Sequence, residues 1–201
     1  MNKLLQKGKL QEAIDSIDTN VEYEEAAKKL IFKAQLYIAN FQFDEAEAHY
    51  KQAADIFPSY ENYGTAGNFF YRLNRFKEAE DYYARSLKQA TSPEERAGVL
   101  NNLGNVQCYL NEHAQAEASY TEALKIYREL AGKNPQAYLP DVATTLVNLS
   151  LFYKDDTPNK KKSLQYAKEA IEVLNRCNDT PWVQELRKGA LKVIDYWKGK
   201  I

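Results

Sequence analysis

Four stretches of this chain repeat one another, and a fixed period limits the fold more than any local propensity, since each unit must then stack on copies of itself. The stretches are Ile31-Phe32-Lys33-Ala34-Gln35-Leu36-Tyr37, Gly64-Thr65-Ala66-Gly67-Asn68-Phe69-Phe70, Asn101-Asn102-Leu103-Gly104-Asn105-Val106-Gln107 and Val147-Asn148-Leu149-Ser150-Leu151-Phe152-Tyr153. Each is followed by a second patterned stretch. These run from Phe43 through Ala46, Tyr50 and Ala53, from Phe76 through Ala79, Tyr83 and Ser86, from His113 through Ala116, Tyr120 and Ala123, and from Ser163 through Ala167 and Ala170. The small residues Ala34, Gly67, Gly104 and Ser150 lie 33, 37 and 46 residues apart, a period of about 34 with later insertions.

The small residues mark close approach of two helices, where a bulky side chain would hold them apart. Leu103, Tyr37, Phe70, Tyr153, Tyr50, Tyr83 and Tyr120 recur at three-, four- and seven-residue spacing, so each helix carries an apolar stripe that only a neighbouring helix covers. Ser92-Pro93-Glu94-Glu95 is a capping box with proline at the first helical position and predicts a helix to about Leu110. Asp44 with Glu47 repeats that pattern more weakly, and Thr180-Pro181 opens a final helix to about Lys198. No stretch alternates with strand period, which predicts an all-helical chain of about ten helices. Gly132 to Pro140 reads as the longest break between repeats.

The small residue on one helix, followed by alanine, aromatic and alanine on the next, resembles the tetratricopeptide-repeat family, and the resemblance covers nearly the whole chain. Lys33 and Ala66 depart from it by replacing the leucine, and the fourth repeat carries an extra residue around Thr157 to Lys162. The resemblance implies a right-handed α-solenoid of helix-turn-helix repeats, all-α, forming a single domain over residues 1–201. Its parts would be a partial repeat at 1–20, repeats at 27–58, 60–91, 93–131 and 141–177, and a capping helix at 181–198. The later repeats resemble the longer kinesin-light-chain-like variety. Lys7 to Ile14 reads like the middle of a repeat, which suggests that the natural polypeptide continues upstream.

In that family the first helix of each pair lines a concave inner surface, which implies a groove holding a peptide or protein segment. The implied ligand-facing stripe includes Lys28, Ile31, Gln35 and Ile38, then Glu61, Gly64, Asn68 and Tyr71. It continues through Gly98, Asn101, Asn105 and Cys108 to Thr144, Val147, Leu151 and Lys154. Asparagine recurs on or beside it at Asn68, Asn101, Asn102, Asn105 and Asn148. An asparagine amide both donates and accepts, so a row of them suits the main chain of an extended peptide, and asparagine in mid-helix costs stability unless it packs or binds. Asn68, Tyr71, Asn101, Asn102, Asn105, Cys108, Asn148 and Leu151 are therefore the candidate peptide-binding residues. The plainer reading is that Asn102 and Asn148 bond neighbouring helix backbones. Ile31, Gly64 and Val147 stand where a terminal-carboxylate clamp needs cations, which argues against one.

Twenty-seven Lys and Arg against 28 Asp and Glu leave a net charge of -1, without the basic excess that nucleic acid requires. No apolar run suits a signal core or a membrane span. Cys108 and Cys177 are far apart, so neither a disulfide framework nor a metal motif is indicated, and a cytoplasmic location is expected. His49 and His113 lack partners at metal-ligand spacing, Gly64 to Gly67 lacks the lysine of a phosphate loop, and no catalytic constellation, cofactor or metal is expected. Trp182 and Trp197 are expected to pack inward from the capping helix. The alternative to a peptide-binding scaffold is a regulatory or spacer module of a larger multidomain protein, or a self-association module.

Overall fold

The computed structural model describes residues 23–200, so the partial repeat at 1–20 lies outside the described residues. Among them are nine α-helices and no strand. In chain order they are α1 Tyr23–Ala39, α2 Phe43–Ile56, α3 Tyr60–Arg72, α4 Phe76–Gln89, α5 Pro93–Tyr109, α6 His113–Lys133, α7 Pro135–Asp155, α8 Lys160–Leu174 and α9 Pro181–Lys198. The chain forms two compact units, Met1–Gln89 and Ala90–Ile201.

In the first unit α1 pairs with α2 and α3 with α4, and α2 packs on α3. Each hairpin turns in three residues. The turn places Phe41 and Asn74 at φ 58°, and the following N–H returns to the carbonyl five residues back, Gln42 to Tyr37 at 2.9 Å and Arg75 to Phe70 at 3.0 Å. Ser59 caps α3 by accepting from the Asn62 N–H. The weak capping signal at Asp44 and Glu47 is not realised: Gln42 is the residue before α2 and makes no side-chain cap. Glu47 instead bonds Arg75, which also holds Glu78 and lies 4.7 Å over the Phe70 ring.

In the second unit α5 pairs with α6 and α7 with α8, while α9 lies against α8 and α7. The capping box at Ser92 and Glu95 is present with both of its bonds. The supposed break at Gly132 to Pro140 is not a loop. Only Asn134 separates α6 from α7, capping α7 by accepting from the Ala137 N–H, and the helix starts at Pro135, six residues before the repeat boundary of 141. Pro140 sits inside the helix, where burial of Leu139, Val142, Ala143 and Leu146 holds the first turns against its missing N–H. At the other end of the repeats α1 starts at Tyr23, four residues before the boundary of 27.

The helix α9 buries Val183, Leu186, Ala190, Val193 and Trp197 and turns Lys188, Lys192, Asp195 and Lys198 outward, the pattern of a cap. Trp197 packs inward as expected, its indole N–H donating to Ser163 Oγ at 2.8 Å. Trp182 does not: at the first turn of α9 its ring is 57% exposed.

Candidate functional site

The close contacts that pair the helices also fix the candidate asparagines. In the first unit Gly67 on α3 faces the Tyr83 ring on α4, and a Cβ on the glycine would lie 2.7 Å from it. That ring is 2% exposed, and its hydroxyl donates to Asn68 Oδ1 at 2.6 Å. The second unit repeats the arrangement. A Cβ on Gly104 would lie 2.6 Å from the Tyr120 ring, and the Tyr120 hydroxyl donates to Asn105 Oδ1 at 2.7 Å. Each asparagine thus has its carbonyl engaged by a buried tyrosine, which orients the amide and leaves its two Nδ2 hydrogens as the remaining donors. In the fourth pair the register shifts by the extra loop residue, Ser150 and Ala167 replace glycine and tyrosine, and Leu151 stands where the asparagine was.

In the first unit Asn68 opens onto a cavity of about 260 Å³ shared with Thr65, Phe69 and Arg72 on α3, Gln35 and Ile38 on α1, and Tyr50 on α2. Tyr71 is half-buried against Phe76, ring centres 5.8 Å apart. In the second unit Asn101 and Asn148 meet, Asn148 Nδ2 donating to Asn101 Oδ1 at 3.1 Å and joining α7 to α5. Asn148 therefore bonds a side chain rather than a helix backbone. Cys108 Sγ lies 3.7 Å from the Tyr120 hydroxyl, so Asn105 and Cys108 share one tyrosine. Burial pushes the Cys108 thiol up to about 11, outweighing the Tyr120 bond that lowers it, and keeps it protonated at neutral pH. Asn102 is half-buried on α5, and Leu151 is exposed on α7.

Of the residues around this cavity Gln35, Ile38 and Asn68 are on the expected stripe, but Thr65 and Arg72 are not. Arg72 lies one turn after Asn68 on the same helix, and that four-residue spacing is the signal that could have found it. Another cavity, of about 240 Å³, is in the second unit beside the first turns of α7 and α9, with Leu139, Pro140, Arg176, Cys177 and Trp182 among its walls.

A family model described as tetratricopeptide repeat matches residues 60–129, and another of the same description matches residues 30–60. The chain is a tetratricopeptide-repeat protein. Such repeats serve as protein–protein interaction scaffolds. Among solved structures, MamA aligns with a TM-score of 0.63 at 19% identity, covering 87% of this chain and 94% of that one. BtubC (BKLC) from P. vanneervenii aligns at 0.67 and 20% identity, covering 94% and 89%. PilW, a widely conserved type IV pilus biogenesis factor, aligns at 0.63 and 19%, covering 96% and 82%. At such identities the likeness is one of fold, an all-α repeat of the solenoid class. No curated protein matches the chain. Among the described residues no helix is long and apolar enough to cross a membrane, and no cluster of His, Cys, Asp or Glu is arranged to hold a metal.

Proposed function

We propose that the chain is a scaffold whose helical pairs act as one domain, and that it binds an extended segment of a protein partner on the surface of its first helices. The reading rests on the two tyrosine-held asparagines. Asn68 and Asn105 present oriented amide donors from equivalent positions, and a peptide carbonyl is the acceptor such donors suit. Main-chain recognition of this kind supplies affinity with little demand on side chains.

An Asn105→Asp variant tests it. Aspartate keeps an oxygen for the Tyr120 hydroxyl, so folding is retained, while the outward donor is replaced by an acceptor. Peptides selected against the full chain from a random displayed library are expected to bind this variant about tenfold more weakly, a loss of about 1.4 kcal/mol. Undiminished affinity, with an unchanged helical circular dichroism spectrum, would move the binding surface elsewhere. Light scattering on the free chain checks the self-association alternative.

A further inference from the structure

Phe41 is the most exposed of the large apolar side chains among the described residues, and its backbone holds the left-handed φ of 58° that the sister turns give to Asn74 and Asn111. Packing within the chain explains neither the strain nor the exposure, and strained backbone persists mainly where a fold does its work. Phe43, two residues on, is also exposed, and Asp44 and Glu45 follow it in the first turn of α2. The α1–α2 turn is thus an apolar knob with an acidic flank.

The same chain carries a hollow of the opposite kind. Leu139, Pro140 and Val183 give the cavity of about 240 Å³ beside α7 and α9 an apolar lining, and the exposed Trp182 ring is among its walls. Its volume lies below the roughly 300–1,000 Å³ of small-molecule sites and suits a single large side chain. Arg176 lines it too and has no carboxylate partner among the described residues, whereas Asp179 nearby is held by Arg187 and Gln184.

We infer that the knob of one copy of this chain seats in the cavity of a second copy, with Phe41 entering against the Trp182 ring and Asp44 meeting Arg176. Phenylalanine brings no polar atom to the apolar walls, and packing of the two rings adds to the burial. The acidic flank meets the cation that the fold leaves unanswered, which fixes the direction of docking. An aromatic anchor filling a pocket beside tryptophan and arginine is the kind of contact that carries interface energy. Knob and cavity are unlike surfaces, so the contact is heterologous. Neither includes Asn68 or Asn105, and the inference does not rest on the peptide-binding reading.

Sedimentation of the full chain across the micromolar-to-millimolar range tests it. The average mass should rise reversibly with concentration, and Phe41→Asn and Trp182→Ser should each weaken the association at least about tenfold. Both variants are expected to fold, since one relieves the strained turn and the other alters a ring in solvent. Mixed in equal amounts they should associate again, because one keeps the cavity and the other keeps the knob. Arg176→Glu should weaken association, and combining it with Asp44→Lys in the same chain should recover it. Peptides selected on the parent chain should bind Phe41→Asn and Trp182→Ser undiminished, so this inference and the peptide-binding reading can fail separately. A chain monomeric throughout the range, association indifferent to either single variant, or a mixture no stronger than its components would each overturn the inference.

Discussion

Phe41 occupies a backbone conformation that its sister repeats give to asparagine. Asn74 and Asn111 sit at φ 58° and 60°, where asparagine is well tolerated, whereas Phe41 sits at φ 58° with its ring 83% exposed and gains little from packing. Phe41→Asn is therefore expected to stabilise the protein by about 1 kcal/mol, a rise in melting temperature of about 2–4 °C for a chain of this size. An unchanged or lower melting temperature would mean that the phenylalanine ring makes a contact worth as much as the strain. The glycines separate by the same kind of argument. Gly104→Ala drives a methyl into the buried Tyr120 ring, whose hydroxyl is tied to Asn105, and overpacking at about 1–3 kcal/mol exceeds the helix-propensity gain of about 1 kcal/mol. Gly132→Ala, with nothing within 4 Å of the added Cβ, keeps that gain and should stabilise. Denaturant titrations of the two variants should move in opposite directions. Such small residues and aromatics were legible in the sequence because packing imposes them at every period. Arg72 was not, because the stripe taken from the family's geometry stops at Tyr71 and charge pairing between helices leaves no periodic mark. The outward face of Trp182 was missed for a related reason, since position on a cap does not say which side of the first turn a ring takes.

At the level of helices, Arg75 is the tie that holds α2, α3 and α4 together. The hydrogen bond from Arg75 holds the Glu47 carboxyl below the ordinary carboxylate range, with Lys51 adding to it and burial opposing. A carboxyl depressed in the folded state stabilises the fold above its unfolded value near 4.3, and that contribution is lost as pH falls through the depressed folded value. Glu47→Gln should thus cost about 1 kcal/mol at neutral pH, and the gap between variant and parent should close as urea titrations are stepped down through the acid range. A gap that persists in acid would assign the loss to packing instead. Helix boundaries were legible where a cap has a sequence signature, as at Ser92 and Thr180, and obscure where it does not. Gly132 to Pro140 has the composition of a loop, yet Asn134 and Pro135 start a helix at once, and the burial of Leu139 and Val142 carries it past Pro140. The extra residue before α8 was visible as an insertion, and in that pair Ser150 and Ala167 stand in place of glycine and tyrosine, with the Ser163 hydroxyl donating to the Ser150 carbonyl at 2.8 Å.

On the scale of the whole molecule, each unit is stabilised by helices that no pair could provide for itself, and α9 does this for the second unit. Trp197 donates to Ser163, and Ser163 donates to the Ser150 carbonyl, a relay from α9 through α8 to α7. Val183, Leu186, Val193 and Trp197 are the larger side chains that α9 buries. At about 2 kcal/mol for each, an upper figure set against an extended chain, they contribute roughly 8 kcal/mol. That is comparable with the entire net stability of an ordinary domain, about 5–15 kcal/mol, so α9 cannot be a dispensable tail if the second unit is to stay folded. Deleting residues 181–201 should abolish the cooperative melting of the second unit and expose a surface that binds a fluorescent apolar dye. The ring of Trp182, by contrast, faces solvent, and Trp182→Ser should leave the transition within about 0.5 kcal/mol of the parent. A truncated chain that still melts cooperatively without binding dye would show that α7 and α8 close the second unit unaided, and that α9 is an appendage rather than a cap.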